Sequence, residues 1–168
     1  MHPGQYTSLN APREDVVERA GGELCLHAAF LNAVGAGPEA RIILHLGGAY
    51  GDRESALERL TENLRLLAPF IRDPLALEND ERIYTIEEVL RVCDEFALPA
   101  IFDVFHHSLN PPATGSQNYW LDRASATGNG SSGRPKIHYS HQLPGGKPGM
   151  TSQRLGIRAL PGVYRASH

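Results

Sequence analysis

Short apolar runs that end in a histidine or an acidic residue recur along the chain, and longer helix-like stretches separate several of them. This alternation is typical of a parallel sheet with right-handed crossover connections. The carboxyl ends of parallel strands open onto one side of the sheet, so side chains at the ends of separate runs meet there. The pattern predicts an enzyme with a metal site at that edge. The runs are HPGQY with His2, RIILHL with His45, PLALE with Glu78, PAIFDVF with Asp103 and PKIHYS with His138.

Helical patterns occupy most of the intervals between these runs. A helix is predicted over residues 12–35, with a proline in its first turn. Residues 53–71 carry leucines at helical spacing, and Thr85 with Glu88 forms a capping-box pattern before a third helix. Residues 110–134 are rich in Gly, Pro, Ser and Asn and are predicted to be mostly loop, with one Tyr-Trp-Leu cluster inside.

Composition limits the classes of function. The 168 residues carry a formal charge of −3, which argues against a broad nucleic-acid-binding surface. That charge does not exclude a nuclease, because bound divalent cations would invert the local field. The chain has neither a signal-peptide pattern nor an apolar run of the roughly 18 residues that a membrane helix needs. Cys25 and Cys93 have no metal or redox spacing, so we expect both to be reduced and buried in a cytoplasmic protein.

The number of strands constrains the architecture. About five strands are predicted, whereas a closed eight-stranded barrel takes about 250 residues. The sheet is therefore either open or part of a barrel, and we predict an α/β fold: a partial TIM-type (β/α) barrel of about five strand-helix units. This domain is expected to cover residues 1–149. Residues 150–168 lack helical amphipathicity, so they are expected to be an atypical tail, either disordered or translated out of frame.

Several strand-end residues are candidate metal ligands. Glu78 and Asp103 follow apolar residues, and a buried carboxylate is costly without a partner. His106 forms an Asp-x-x-His pair with Asp103, and His138 is a further candidate at the same edge. Taken alone, His45 is better explained as a core histidine than as a ligand.

The ligand types indicate the kind of metal. Mixed imidazole and carboxylate ligands suit zinc, manganese or iron, and the absence of thiolate ligands argues against a closed structural zinc site. Glu78 and Asp103 could each bridge two metals. Such metal pairs stabilise both the attacking and the leaving oxygen of a phosphoester.

Five motifs together resemble the UV damage endonuclease family, and they occur in that family's order over residues 1–140: HPGQY, LHLGGAYGD, LENDE, FDVFHH and KIHYS. The resemblance implies a metal-dependent barrel related to endonuclease IV and to the sugar isomerases. It also implies that damaged double-stranded DNA is nicked on the 5′ side of pyrimidine dimers, other photoproducts and abasic sites. Manganese would be the usual metal, with zinc or magnesium possible, and two or three ions would occupy the intact site.

The resemblance also implies roles for individual residues. Glu78, Asp103 and Lys136 would be catalytic, and Lys136 would be carboxylated near the metals. Gln5 and Tyr6 would enter the duplex at the lesion, where a damaged base stacks poorly and flips at lower cost. Without the family match, we would interpret Lys136 as an ordinary surface lysine and this pair as loop residues. The metal ligands would be His2, His45, Glu78, Asp103, His106 and His138.

The chain departs from the family pattern at both ends. Family members have further strands before HPGQY, whereas here Met1 directly precedes that motif. Thr151 stands where a metal-binding histidine is expected, and no acidic residue follows Asp122 to supply a late glutamate. We therefore expect weak or no nicking by the chain alone. A frameshift near Met150 is one hypothesis for the altered tail.

Two other functions remain open from the sequence. A sugar isomerase or epimerase could use the same barrel and metal ligands, but it would not need Gln5 and Tyr6. A non-catalytic remnant of the endonuclease is the second alternative, and it would retain fewer metals. Open sheet edges would also favour association with another chain.

Overall fold

A four-stranded parallel sheet forms the centre of the computed structural model, which describes residues 1–4, 6–128 and 135–140. The strands lie side by side in chain order, as strand-helix alternation predicts. Register pairs join His45 to Glu78 and Asp103 to His138. Within the described residues the strands are β1 (Ile42–His45), β2 (Leu75–Glu78), β3 (Ala100–Asp103) and β4 (Ile137–His138).

Helices connect consecutive strands. Asp52 caps the second helix by accepting a hydrogen bond from the Ser55 amide. The capping box predicted for Thr85 and Glu88 is present at the start of the fourth. In the described parts of the chain the helices are α1 (Glu14–Ala33), α2 (Arg53–Leu66), α3 (Pro69–Arg72), α4 (Ile86–Phe96), α5 (Val104–Leu109) and α6 (Gln117–Ser125).

Three sequence predictions about elements need correction. The run PAIFDVF is not all strand: β3 ends at Asp103, whose side chain caps α5 by accepting from the His106 amide. The stretch 110–134, predicted as mostly loop, contains α6, which buries Trp120 and Ala124. Cys25 is only partly buried, although Cys93 is buried as predicted.

The first predicted run, around His2, is not a strand among the described residues. The Met1 carbonyl nevertheless accepts a hydrogen bond of 2.8 Å from the Ile43 amide. Residue 1 therefore lies beside β1, on the side of that strand that faces away from β2. This contact places His2 next to the sheet.

The two faces of the sheet have different surroundings because side chains alternate along each strand. The outer face, which includes Leu44, Leu77 and Phe102, packs into the main hydrophobic core under the helices. The inner face holds a small apolar cluster of Ile43, Ala76 and Ile101. Two residues further along β1, β2 and β3, this same face presents His45, Glu78 and Asp103.

Within the described residues, no helix combines the length and apolar character needed to cross a membrane. The sequence-based division into residues 1–149 and a tail of 150–168 stays a prediction, since that tail lies outside the described residues.

Candidate metal centre

The side chains predicted from the sequence to be metal ligands lie close together at the carboxyl ends of the strands. His45 and Glu78 are register partners on β1 and β2, and Asp103 and His138 are register partners on β3 and β4. All four lie on the inner face, because strand partners in register point to the same side of a sheet. Two groups of donor atoms result.

The first donor group consists of His2, Glu78 and His138, and one ligand atom from each lies within 4.8 Å of the others. The His138 Nδ1 atom is 2.5 Å from Glu78 Oε1. The His2 and His138 rings lie with centroids 5.3 Å apart. Residues 1–4 and β4 therefore reach the same carboxylate, although 136 positions separate these two histidines in the sequence.

The second donor group consists of Glu78, Asp103 and His106, with ligand atoms again within 4.8 Å of one another. Asp103 Oδ1 accepts from the His106 amide at 2.8 Å, so the helix cap fixes the spacing between these ligands. The His106 Nδ1 atom is 2.9 Å from the Asn79 carbonyl oxygen. If that nitrogen is protonated and donates, Nε2 is the ring atom left to bind a metal.

Glu78 belongs to both groups and is the most enclosed of the candidate ligands, with 2% of its surface exposed. The His45 Nε2 atom lies 3.5 Å from Glu78 Oε2, on the opposite oxygen from His138. His45 is in neither compact group. Its Nδ1 atom is buried, with no hydrogen-bond partner among the described residues.

Electrostatics at the site centre on the Glu78 carboxylate. Its hydrogen bond to His138 raises the pKa of that imidazole, whereas burial is the largest effect on His2 and lowers its pKa. Among the described residues, the ion pairs of Glu78 are with histidines, not with lysine or arginine.

This chemistry fits a divalent metal. A buried carboxylate is costly without a compensating cation. Mixed nitrogen and oxygen donors on two carboxylates and several histidines suit manganese, zinc or iron. The buried His45 Nδ1 atom, which has no hydrogen-bond partner among the residues that the structure describes, is a further candidate donor beside the site.

The remaining predicted residues are less tightly associated with the two groups. Lys136 precedes His138 by two positions and so shares its face, but its amine donates to the Glu39 carbonyl. Tyr6 is 83% exposed, and Gln5 lies outside the described residues. His107, the neighbour of His106, is buried against the Phe102 ring, and burial lowers its pKa.

A cavity of about 870 Å³ opens beside the first donor group. Two exposed aromatic rings, from Tyr6 and Tyr50, line it. The charged residues of its lining are Arg19, Arg82, Glu23, Asp80 and Glu81. His2 and His45 also line this cavity, so a ligand bound there would lie next to the candidate metal ligands.

Sequence reasoning missed three residues of the site. Asn79 is fully buried between β2 and β3 and contacts both Asp103 and His106. The Glu81 Oε2 atom lies 3.6 Å from His106 Nε2, and Tyr50 lines the cavity. The signal for the first two was present in the ENDE motif, from which only the first glutamate was taken.

Curated relatives share this sequence over much of its length. The UV DNA damage endonuclease of Bacillus velezensis is 36% identical over 140 residues, which cover 83% of this chain and 44% of that protein. The UV DNA damage endonuclease of Clostridium perfringens is 33% identical over 165 residues, covering 98% and 40%. The chain thus spans less than half the length of these two relatives.

Solved structures confirm the predicted fold class. The crystal structure of SacUVDE matches with a TM-score of 0.87 and 36% identity, over 95% of this chain and 53% of that chain. D-psicose 3-epimerase from Clostridium cellulolyticum H10 matches with a TM-score of 0.58 and 16% identity, over 82% and 50%. The second likeness shows the fold alone, a parallel α/β barrel.

The family comparison agrees with the motifs. A family model described as UV-endonuclease UvdE matches residues 1–158, which is most of the chain. The match includes the segments that carry both donor groups. The chain therefore belongs to the UV-endonuclease UvdE family.

Proposed function

We propose that this chain carries the metal centre of a DNA repair endonuclease that nicks damaged double-stranded DNA on the 5′ side of UV photoproducts and abasic sites. The proposed cofactors are two or three divalent cations, with manganese as the leading candidate and zinc or magnesium as alternatives. The relatives' names, which state UV DNA damage endonuclease, support the reaction class.

One observation carries the proposal: the buried Glu78 carboxylate is common to both donor groups. A carboxylate with one oxygen near His138 and the other near His45 is suited to bridge two cations. Paired cations suit phosphodiester hydrolysis, since charge develops on both the attacking and the leaving oxygen.

The candidate ligands would be divided between two cation sites. Glu78 would contribute to both cation sites, while His2 and His138 would hold one cation and Asp103 with His106 would hold the other. When bound, the metals neutralise charge on the oxygens of the scissile phosphate.

Two further residues are proposed for the same centre. His45 adds a nitrogen donor beside Glu78. Lys136 corresponds to the lysine that is carboxylated in the family. To take that role, its side chain must leave the Glu39 carbonyl and turn toward the candidate metal ligands.

Lesion binding is proposed for Tyr6 and Gln5. The high exposure of Tyr6 leaves its ring free to stack on bases, and stacking on an aromatic ring contributes about 1–3 kcal/mol per base. Arg19 and Arg82 line the adjacent cavity, but so do the carboxylates of Glu23, Asp80 and Glu81. The proposal of lesion binding therefore rests on the exposed Tyr6 ring and not on the charge of the cavity.

An epimerase function has less support. The epimerase likeness rests on 16% identity and a TM-score of 0.58, against 36% and 0.87 for SacUVDE. The HPGQY segment with its exposed tyrosine also has no evident use in binding a small polyhydroxy substrate.

Metal titration with a matched pair of variants tests the proposal. Mn²⁺ binding is measured by calorimetry for the unsubstituted chain, for Glu78→Gln and for Glu58→Gln. Glu58 is an exposed glutamate on α2, so its variant controls for the loss of one carboxylate elsewhere. The same proteins are then incubated with UV-irradiated and unirradiated plasmid in the presence of Mn²⁺.

We expect at least two bound Mn²⁺ per chain, one for each donor group, with both lost in Glu78→Gln and retained in Glu58→Gln. Nicking is expected to be weak and to require Mn²⁺, UV damage and Glu78. No metal binding by the unsubstituted chain would instead favour a non-catalytic remnant. Equal binding by Glu78→Gln would overturn the bridging role.

A further inference from the structure

Asn79 directly follows the bridging glutamate candidate and has no exposed surface. Its side-chain amide makes two hydrogen bonds with the backbone of a single residue on the neighbouring strand. The Asn79 Oδ1 atom accepts from the Asp103 amide at 2.9 Å, and Nδ2 donates to the Asp103 carbonyl at 3.1 Å. Both ends of the amide are therefore used, which fixes its orientation.

These bonds continue the sheet where its backbone pairing stops. The last register pair between β2 and β3 joins Glu78 to Ile101, two residues before Asp103. A side-chain amide has the same donor and acceptor as a peptide group, so Asn79 replaces the missing ladder contact. Asp103 is thereby tied to the residue next to Glu78.

The backbone of Asn79 holds a second ligand. Its carbonyl oxygen lies 2.9 Å from His106 Nδ1. When that nitrogen is protonated and donates, Nε2, which lies 3.6 Å from Glu81 Oε2, is the ring atom left to bind a metal. Groups that orient a metal ligand in this way set the tautomer and direction of the imidazole, and their loss typically weakens metal binding about 10–100-fold. One residue thus contacts both ligands that Glu78 joins in the second donor group.

We propose that Asn79 is a positioning residue of the metal centre, which holds Asp103 and His106 at the correct distance from Glu78. This inference rests on the proposed function, since it requires the second donor group to bind a divalent cation. Asn79 does not itself touch the metal or the substrate in this account. It acts through the two ligands.

The test compares Mn²⁺ affinity and stability in three variants. Asn79→Ala removes both side-chain bonds, and Asn79→Asp keeps the acceptor for the Asp103 amide but loses the donor. Asn63→Ala is the matched control, because the Asn63 side chain donates to the Leu9 carbonyl at 2.7 Å, away from both donor groups. Mn²⁺ affinity is measured by calorimetry, and urea unfolding of the metal-free proteins reports stability separately.

We expect Asn79→Ala to weaken Mn²⁺ binding at least about tenfold in the folded protein. Asn79→Asp is expected to lose less, and Asn63→Ala to change affinity less than about twofold. A further comparison adds Asn79→Ala to a double variant that already carries Asp103→Ala and His106→Ala. There, Asn79→Ala should add little, because the ligands that it positions are absent.

Distinct outcomes separate this inference from the proposed function. If the unsubstituted chain binds Mn²⁺ but Asn79→Ala and Asn79→Asp bind it equally well, the positioning role is wrong. A further tenfold loss on adding Asn79→Ala to the double background would also overturn it, since the residue would then act on the sheet as a whole. If Asn79→Ala fails to fold, Asn79→Asp alone decides by the same criterion. Absence of Mn²⁺ binding in the unsubstituted chain overturns the proposed function, and with it this inference.

Discussion

The two faces of the sheet differ in what they contact, and adjacent residues on one strand illustrate it. Leu77 points into the outer core and has no exposed surface, whereas Glu78 points inward among histidines and is equally enclosed. Burial alone therefore does not distinguish structural from functional positions in this chain. The surrounding side chains distinguish the two kinds of position, since Leu77 lies among hydrocarbon side chains and Glu78 lies among imidazole rings.

The comparison separates stability from chemistry. A buried leucine stabilises by being removed from water, while a buried carboxylate destabilises unless a cation compensates it. Substitutions on the outer face should thus change the free energy of unfolding and leave metal binding intact. Substitutions of the candidate metal ligands on the inner face should do the reverse.

The largest expected effect on the stability of the metal-free protein comes from Leu77→Ala. Truncating a fully buried leucine should lower the free energy of unfolding by about 2–5 kcal/mol, because transfer and cavity effects add. Urea unfolding of the metal-free protein measures this change, and Mn²⁺ affinity of the folded fraction should stay the same. A large fall in affinity without a stability change would break the division between the two faces.

The neighbouring substitution Glu78→Gln should act in the opposite way. We expect it to change the stability of the metal-free protein less than Leu77→Ala does. Mn²⁺ at a hundredfold excess over the dissociation constant should stabilise the unsubstituted protein by about 2.7 kcal/mol for each bound ion. That gain should vanish in Glu78→Gln. Thermal unfolding with and without Mn²⁺ measures it, and an unchanged gain would contradict the metal role.

A smaller effect is expected at the start of α4, which packs on the outer face. Thr85→Ala removes the capping box and should cost about 1 kcal/mol of stability, with metal affinity unchanged. Thr61→Ala is the control, since the Thr61 hydroxyl makes an exposed bond within α2. Urea unfolding measures the free energy of unfolding of both variants. Equal losses would show that the capping box stabilises the protein no more than the exposed hydroxyl bond of Thr61 does.

The smallest effect depends on pH. Glu23 accepts hydrogen bonds from the Gly4 amide and the Thr7 hydroxyl, and these bonds lower its pKa below 4.5. A lowered pKa in the folded state contributes stability above the unfolded pKa, and that contribution disappears as pH falls through the folded value. The stability difference between the unsubstituted chain and Glu23→Gln should therefore be greatest near neutral pH.

Urea unfolding from pH 7 down to pH 3 checks this expectation. The difference should shrink below pH 4.5 and approach zero as Glu23 becomes protonated. If the stability difference between the two proteins instead grows as the pH falls, the stabilising role assigned to the hydrogen bonds of Glu23 with Gly4 and Thr7 is wrong.

Much of the fold could be predicted because apolar runs and their polar ends report strands directly. The strand ends at His45 and Glu78 came from this pattern. The end of β3 did not, since only a local bond between Asp103 and the His106 amide converts the apolar continuation into a helix. Helix α6 was missed because its stability comes from burying Trp120, a tertiary contact in a loop-like sequence.

The candidate site shows the same limit. Candidate ligands could be selected by residue type near the ends of apolar runs, and two compact donor groups contain five of the six candidates. The ENDE motif contains Asn79, but the role of this residue could not be predicted, because it depends on which backbone atoms of β3 lie opposite it. The motif marks the position, and only the register of the strands shows the contact.

Anomalous X-ray scattering from Mn²⁺-soaked crystals of the chain tests the central claim most directly. We expect one peak among His2, Glu78 and His138 and a second among Glu78, Asp103 and His106, with the Glu78 carboxylate in contact with both. Peaks elsewhere on the surface, with none at Glu78, would contradict the account.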